Sequence, residues 1–508
     1  MALNFHSYFS IFTKTDTAAA TTNEFFPFDE DNHSSYDYTS TSSTDITYDP
    51  SDSKIYFAAD GVYLVIFGAP LMVSAATGVQ ARIYINGIQK YISDPIGLNQ
   101  NNDPRDATFH MMIEVKKGDN IQVSLQTNDS DTMLVQEGTS LVILKANGDY
   151  GSLRYSADAD AAGAGPAEFT LFDSDNGGTV VTALKNVSFA TATGLMTPTN
   201  TRKFLLLSTP ILNVGTSGDI THKLYANGSS LDDLPGRVAT GNLSPIDLSY
   251  GFLKDLTAAQ TTSDRVIGAG TITVLRGSTF TIFDISNSGI DPSAYLALTV
   301  NGDSDALGSS AEIMCFDEDN WGTYASTVRS GAINGSTGIT YTQADGKFTV
   351  GSTGKYFILW TVALGTVTDA DATVRVRKNG TIHYTTPWYV DDARDPLEKT
   401  VFLVINADAE DYLQFSLQIA SGGDGIFDAG TAITIFKVDD VNDLFVQESA
   451  DKLISNDFTI NNFSANTLGK QYDKINVKQV PFILGIPGPF SLRERNTAPV
   501  ITLGSKKK

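Results

Sequence analysis

Phe28-Asp29-Glu30-Asp31-Asn32 returns as Phe-Asp-Ser-Asp-Asn at Phe172–Asn176 and again as Phe-Asp-Glu-Asp-Asn at Phe316–Asn320. Both steps are 144 residues long. A five-residue phrase at a fixed period is the mark of duplication, so the chain reads as one domain copied three times. Working outward, each copy carries an apolar entry strand: GVYLVIFGAPLMV from Gly61, TRKFLLLSTPILNV from Thr201 and GKYFILWTVAL from Gly354. An alternating run ending in Asn-Gly follows, ARIYING to Gly87, HKLYANG to Gly228 and VRVRKNG to Gly380. Asn-Gly between alternating runs predicts a two-residue hairpin, because both residues tolerate φ > 0. GDNIQVSLQ from Gly118 matches EDYLQFSLQ from Glu410, and the middle copy shows no clear equivalent. Each copy closes on a Gly-led strand: GTSLVILK from Gly138, GSTFTIFD from Gly277 and GTAITIFK from Gly430.

Short alternating strands between Gly-, Asn-, Asp-, Ser- and Thr-rich loops, with no long run of helical period, predict an all-β protein of sandwiches or barrels. A unit of roughly 145 residues is large enough to bury its own core. The expected organisation is three tandem jelly-roll β-sandwich domains plus an extended C-terminal arm. The boundaries read as 1–147, 148–287 (the most diverged copy), 288–440 and 441–508. The Gly-, Ala- and Asp-rich stretch ADADAAGAG from Ala157 is expected to link the first two copies.

The arm differs in charge. The whole chain carries −23, whereas residues 470–508 hold eight basic side chains against Asp473 and Glu494, a net of +6. Pro481, Pro487 and Pro489 in VPFILGIPGPF oppose both helix and sheet interior. The expectation is an extended segment lying across a partner surface, or a strap folded back on the third copy. An acidic chain is repelled by nucleic-acid phosphates, which argues against nucleic acid as a partner. MALNFHSYFSIF has neither a basic start nor a long apolar core, and no apolar run reaches membrane-spanning length, so neither export nor a membrane partner is expected. The single cysteine, Cys315 in EIMCF, excludes intrachain disulfides and is expected to be a buried thiol.

Motifs for chemistry are sparse. The sequence lacks a phosphate loop, a dinucleotide fingerprint, HExxH and GxSxG. The histidines, His6, His33, His110, His222 and His383, are scattered, and none has a His or Cys partner at ligand spacing. The Asp and Asn oxygens of the repeated phrase suit either a hard cation such as Ca²⁺ or side-chain-to-backbone turns. No catalytic, cofactor-binding or metal residue is therefore assigned, and no cofactor is expected.

In the order aromatic strand after Gly, Asn-Gly hairpin, Gly-Asp turn and Gly-Thr closing strand, GVYLVIFGAPLMV…ARIYING…GDNIQVSLQ…GTSLVILK resembles the jelly-roll domain shared by tumour necrosis factor and the globular heads of complement subcomponent q. Domains of this kind also occur in bacteriophage head and tail proteins. Copies one and three follow the pattern, and copy two departs at the Gly-Asp turn. The resemblance implies a ten-strand-like sandwich that packs as a trimer about a three-fold axis, and it implies no catalytic residue.

Together these readings predict a non-enzymatic virion structural protein, assembled in a host cytoplasm. The first expectation is a phage head decoration or minor capsid protein that binds capsid subunits or neighbouring virion proteins through its jelly rolls and arm. The alternative is a tail-fibre or adsorption protein that grips host glycans. A polysaccharide-degrading enzyme rests on exposed aromatic-acidic loops such as TTPWYVDDARD from Thr385. Either a homotrimer or an intramolecular pseudo-trimer is expected.

Overall fold

The computed structural model describes residues 7–438, except 18–23, 31–37, 74–77, 94–95, 98–104, 128–131, 158–160, 163–167, 175–177, 215–217, 240–245, 269–270, 287–290, 301–311, 318–335, 367–369, 391–396, 420–424 and 428–429; the arm at 441–508 lies outside the described residues. All described strands belong to the compact unit Phe5–Asp440.

The chain is an antiparallel all-β protein, with no α-helix among the described residues. Strand pairing falls into three sets, and within each set two sheets recur, each sharing one order of five strands. In the first set, the inner sheet runs Tyr38–Ser42, Tyr8–Thr13, Ser140–Lys145, Gly61–Val73, Arg105–Val115. These are called the edge, opening, closing, entry and return strands. The corresponding sheets are Val180–Lys185, Tyr150–Tyr155, Thr279–Asp284, Arg202–Thr209, Tyr250–Leu256, and Ser336–Thr337, Tyr295–Thr299, Ala432–Lys437, Gly354–Thr366, Leu397–Ala407.

The outer sheet of the first set runs Ile46–Asp49, Lys54–Phe57, Asn120–Thr127, Gly78–Ile85, Ile88–Ile92, and the other two sets repeat that order too. The middle set adds a four-stranded sheet built partly from Ile211–Val214 and Ile272–Val274. One apolar core in each set draws on both of its sheets, which makes each a two-layer sandwich.

The hairpins form where Asn-Gly predicts them. Asn86, Asn227 and Asn379 have φ of 51°, 50° and 51°, and the following glycines 74°, 74° and 76°. Each asparagine also reaches the turn ahead of the neighbouring strand. Asn86 Nδ2 donates to Asp119 Oδ1 at 2.7 Å and Asn379 Nδ2 to Asp411 Oδ1 at 2.5 Å. In the middle sandwich Asn227 Oδ1 accepts from the backbone N–H of Thr261 at 3.0 Å. This link locates the apparently missing segment. Ala259, with φ 67°, stands where Gly118 (91°) and Glu410 (69°) stand, so the counterpart of GDNIQVSLQ is AQTTSDRVI from Ala259.

The repeated phrase has a structural cause. Phe25, Phe169 and Ile313 pair with equivalent residues Leu125, Val266 and Leu417. Three residues later Phe28, Phe172 and Phe316 are 3%, 1% and 2% exposed, each inside its own sandwich core. Phe172 stacks on Tyr155 at 5.0 Å, and Phe316 meets Phe348 edge-on at 5.4 Å. The carbonyls of Phe28 and Phe316 accept from Tyr48 and Tyr341. The aspartates and asparagines that end the phrase, Asp31, Asn32, Asp175, Asn176, Asp319 and Asn320, lie outside the described residues.

Two expectations are corrected. ADADAAGAG does not link the first two copies. The second sandwich already opens at Tyr150–Tyr155, only four residues after the first closes at Lys145, and Ala161–Ala162 pairs with Ile272–Thr273 within it. TTPWYVDDARD does not display its tryptophan either. Thr381–Val390 is a strand, and Trp388 is 4% exposed in the third core. Period-2 alternation turns Tyr384, Thr386 and Trp388 inward together.

Candidate functional site: the three-way junction and a buried polar cluster

The entry strands carry unbroken apolar runs, at 62–67, 204–207 and 356–360, and the packing shows why. Tyr63, Val65 and Phe67 belong to the first core, whereas Leu64 and Ile66 join a fourth cluster shared by all three sandwiches. Phe204 and Leu206 alternate with Leu205 and Leu207 in the same way, as do Tyr356, Ile358 and Trp360 with Phe357 and Leu359. Both faces of these strands are buried, so apolar side chains predominate on both. Return and closing strands complete the shared cluster with Met112, Leu253, Phe402, Val404, Leu144, Phe283 and Phe436. Each such side chain contributes about 1.5–3 kcal/mol when fully buried.

At one level of this junction the three copies carry different residues that fit one another. Pairing across from the entry strands places His110, Gly251 and Phe402 at equivalent positions. A Cβ on Gly68 would lie 2.9 Å from Phe402 Cζ, so the ring of the third sandwich sits over a bare backbone in the first. A Cβ on Gly251 would lie 2.6 Å from Leu359 Cδ2, a contact between the second sandwich and the third. His110 of the first sandwich places Nδ1 3.1 Å from Thr209 Oγ1 and 3.3 Å from Thr279 Oγ1 of the second. Burial pushes the His110 pKa down to about 3, partly opposed by its hydrogen bond to the Leu207 backbone.

Polar contacts fasten the rim. Tyr91 Oη donates to the Gly277 carbonyl at 3.1 Å, and Tyr384 Oη to that of Gly138 at 2.6 Å. Burial raises the Tyr384 phenol far above its ordinary range, so it stays a donor. Lys399 Nζ, nearly buried, meets Asp106 Oδ1 at 2.5 Å. Thr400 Oγ1 donates to the Ser249 carbonyl at 2.6 Å, and Ser10 Oγ accepts from the Val404 N–H at 3.1 Å.

A second feature lies inside the middle sandwich. Ser208, His222 and Asp264, on three different strands, are each 0% exposed. Ser208 Oγ is 2.5 Å from Asp264 Oδ2 and 3.0 Å from His222 Nε2, and that nitrogen is 2.6 Å from Asp264 Oδ1. A hydrolytic triad uses the two imidazole nitrogens separately, one toward the nucleophile and one toward the carboxylate. Here both contacts fall on Nε2, and Nδ1 has no hydrogen-bonding partner among the described residues. The arrangement is a buried histidine–carboxylate contact bridged by a hydroxyl. By register, the same three positions are Phe67, Ala81 and Val123 in the first sandwich and Trp360, Val374 and Phe415 in the third.

Sequence reasoning named no site residue and missed this cluster, because its members are 14 and 42 residues apart along the chain. One signal was available: the middle copy loses its alternating apolar run where Asp264 falls. A second signal was the length of the repeat. Glu24, Glu168 and Glu312 precede the phrase at the same 144-residue step. Glu24 accepts from Tyr84 and Ser124, Glu168 lies 3.9 Å from Arg265 Nη1, and Glu312 pairs with Arg377. Burial raises the Glu312 pKa, but hydrogen bonds from Arg377 and Ser416 outweigh it and leave the group lowered. Cys315 is buried as expected, and among the described residues no group of three or more His, Cys, Asp or Glu could hold a metal ion.

No family model matches the chain, and no curated protein does. Among solved structures, it is similar to the Eiger tumour necrosis factor of S. frugiperda at 12% identity, over 29% of this chain and 94% of that one, with a TM-score of 0.22. It is also similar to the insecticidal delta-endotoxin Cry8Ea1 of Bacillus thuringiensis at 10% identity, over 57% of this chain and 53% of that one, with a TM-score of 0.17.

Proposed function

We propose that this chain is a non-enzymatic virion structural protein, a phage head decoration or minor capsid protein, whose three sandwiches are jelly rolls closed on one another as an intramolecular counterpart of a trimer. The observation that carries the reading is the matched set at the junction: Phe402 over Gly68, Leu359 over Gly251 and His110 against Thr209 and Thr279. Each contact needs two different copies. A trimer of identical sandwiches would place three histidines, three glycines or three phenylalanines at that level and lose the fit. A fused ring of this kind is a preassembled binding block, with buried inner sheets and three outer sheets and loop sets left for contact. In this reading the basic segment 470–508, at +6, anchors the acidic remainder to neighbouring virion subunits.

Two experiments test it. Light scattering of the isolated protein is expected to give a mass near the 54.5 kDa of one chain; a stable mass three times larger overturns the pseudo-trimer. Particles assembled with a chain lacking 470–508 are expected to lose this protein, and normal incorporation would refute the anchoring role. Because part of that attachment is charge-driven, raising the salt weakens it.

A further inference from the structure

We propose that His110 makes closure of the three-sandwich junction pH-dependent, so that acidification loosens the first sandwich from the second. The geometry carries this. The ring is 2% exposed, at a place where two sandwiches meet. Its Nδ1 has the hydroxyls of Thr209 and Thr279 within hydrogen-bonding reach, and the ring also meets the Leu207 backbone. Among the described residues its Nε2 has no hydrogen-bonding partner. A second proton on either nitrogen would make the ring a buried cation with no carboxylate against it among the described residues, which is strongly unfavourable.

The described charged side chains on the strands packed here have partners, Arg82 of Gly78–Ile85 with Gln80 among them, whereas the side chain of Arg105, at the start of the return strand, lies outside the described residues. On the return strand of His110, Asp106 meets Lys399 and Glu114 meets Lys116. On the facing strands of the second sandwich, Lys203 meets Asp255, Asp284 meets Arg202, and Arg154 lies over the Tyr91 ring. The entry strand Gly61–Val73 has no charged residue. Ile246–Asp247 also approaches the return strand, and its side chains lie outside the described residues. His222, across the entry strand Arg202–Thr209, contrasts with His110 because a carboxylate lies 2.6 Å from it. The proposal concerns the junction and stands whether or not the chain belongs to a virion.

The sign follows from linkage. The closed state holds His110 neutral, with its pKa depressed to about 3, and the opened state returns it to water, where imidazole titrates near 6.5. Stability from this residue is present above about pH 6.5 and is lost as pH falls toward the depressed value. Between pH 7 and pH 5 the ratio of opened to closed junction is expected to rise about 25-fold from this one group.

Hydrogen exchange of the full chain tests it, read at the backbone amides of Arg202–Thr209 and Arg105–Val115 and corrected for the intrinsic pH dependence of exchange. The native protein is expected to show the roughly 25-fold rise, and His110→Gln a rise several-fold smaller, since every other titrating group is shared. Equal rises in the two proteins overturn the proposal. If His110→Gln does not fold, the His110 ring of the native protein is followed by NMR. A ring that stays neutral at pH 5 while junction exchange accelerates supports the switch. A ring that titrates near 6.5 in the closed protein refutes it.

Discussion

Tyr91 and Tyr384 occupy the same place in different sandwiches, four residues past an Asn-Gly hairpin, and each sends its hydroxyl to a glycine carbonyl in a neighbouring sandwich. The receiving glycines are themselves equivalent: Gly277 and Gly138 both precede a closing strand, with φ of 94° and 84°. The contact between copies is thus repeated along with the copies.

Removing the Tyr384 hydroxyl tests one such latch. Tyr384→Phe leaves the ring packed against Phe12 at 5.3 Å and deletes a buried hydrogen bond, at an expected cost of about 1–2 kcal/mol. Gly138→Ala is expected to cost more, because a Cβ would lie 2.5 Å from Thr386 Cβ on a backbone with φ of 84°. Urea midpoints measured on both variants rank them, and a neutral Gly138→Ala would contradict the described approach.

Phe402→Ala would empty the space above Gly68. A loss of about 3–5 kcal/mol is expected for a buried phenylalanine. Refilling from the other side, with Gly68→Ala in the same chain, is expected to recover part of that loss, and a double-mutant cycle by chemical denaturation reads the coupling.

The polar cluster of the middle sandwich yields an asymmetric prediction. Asp264→Ala leaves His222 and Ser208 buried without the carboxylate that both contact and is expected to cost about 1–3 kcal/mol. Replacing all three residues at once with those of the first sandwich, as S208F, H222A and D264V, is expected to be neutral or stabilising, because a well-packed apolar set needs no partners. Thermal unfolding of the two proteins decides it. A triple variant as unstable as Asp264→Ala would mean the pocket cannot accept an apolar set.

Acid sensitivity is expected from the hairpin clamps. Hydrogen bonds from the Lys116 backbone and the Asn86 amide hold the Asp119 carboxyl below its ordinary value, and those from Asn379 and the Asp408 backbone do the same for Asp411. Their contribution is complete above the unfolded carboxylate value of about 4 and fades as pH falls through the lowered folded values. Asp119→Asn is therefore expected to reduce the steepness of acid unfolding below about pH 4, without steepening it between pH 5 and 7. Circular dichroism along a pH series measures both.

The all-β class, the three copies, the hairpins and the apolar entry strands were legible in the sequence because each rests on a local rule: a fixed period, φ > 0 at Asn-Gly, and alternation. Cys315 could be placed from its neighbours alone. The junction was not legible, since nothing local distinguishes Leu64, which faces another sandwich, from Val65, which faces its own. Nor was the middle copy's counterpart to Gly118–Gln126, because Thr262 and Asp264 stand where Ile121 and Val123 carry the apolar alternation. Local pattern failed where a buried polar group replaced a core residue, and only the fold brings Asp264 to His222. Trp388 misled in the opposite direction: its acidic neighbours suggest a surface loop, while strand parity turns the ring inward.

Covalent fusion also changes what a single substitution does. In an assembly of identical subunits every replacement enters three times, so a large side chain at the axis must tolerate two more of itself. Here Phe402, Gly251 and His110 could each be chosen once. The junction can therefore differ from one pair of sandwiches to the next, and any one of the outer sheets can acquire a specialised contact without the other two following.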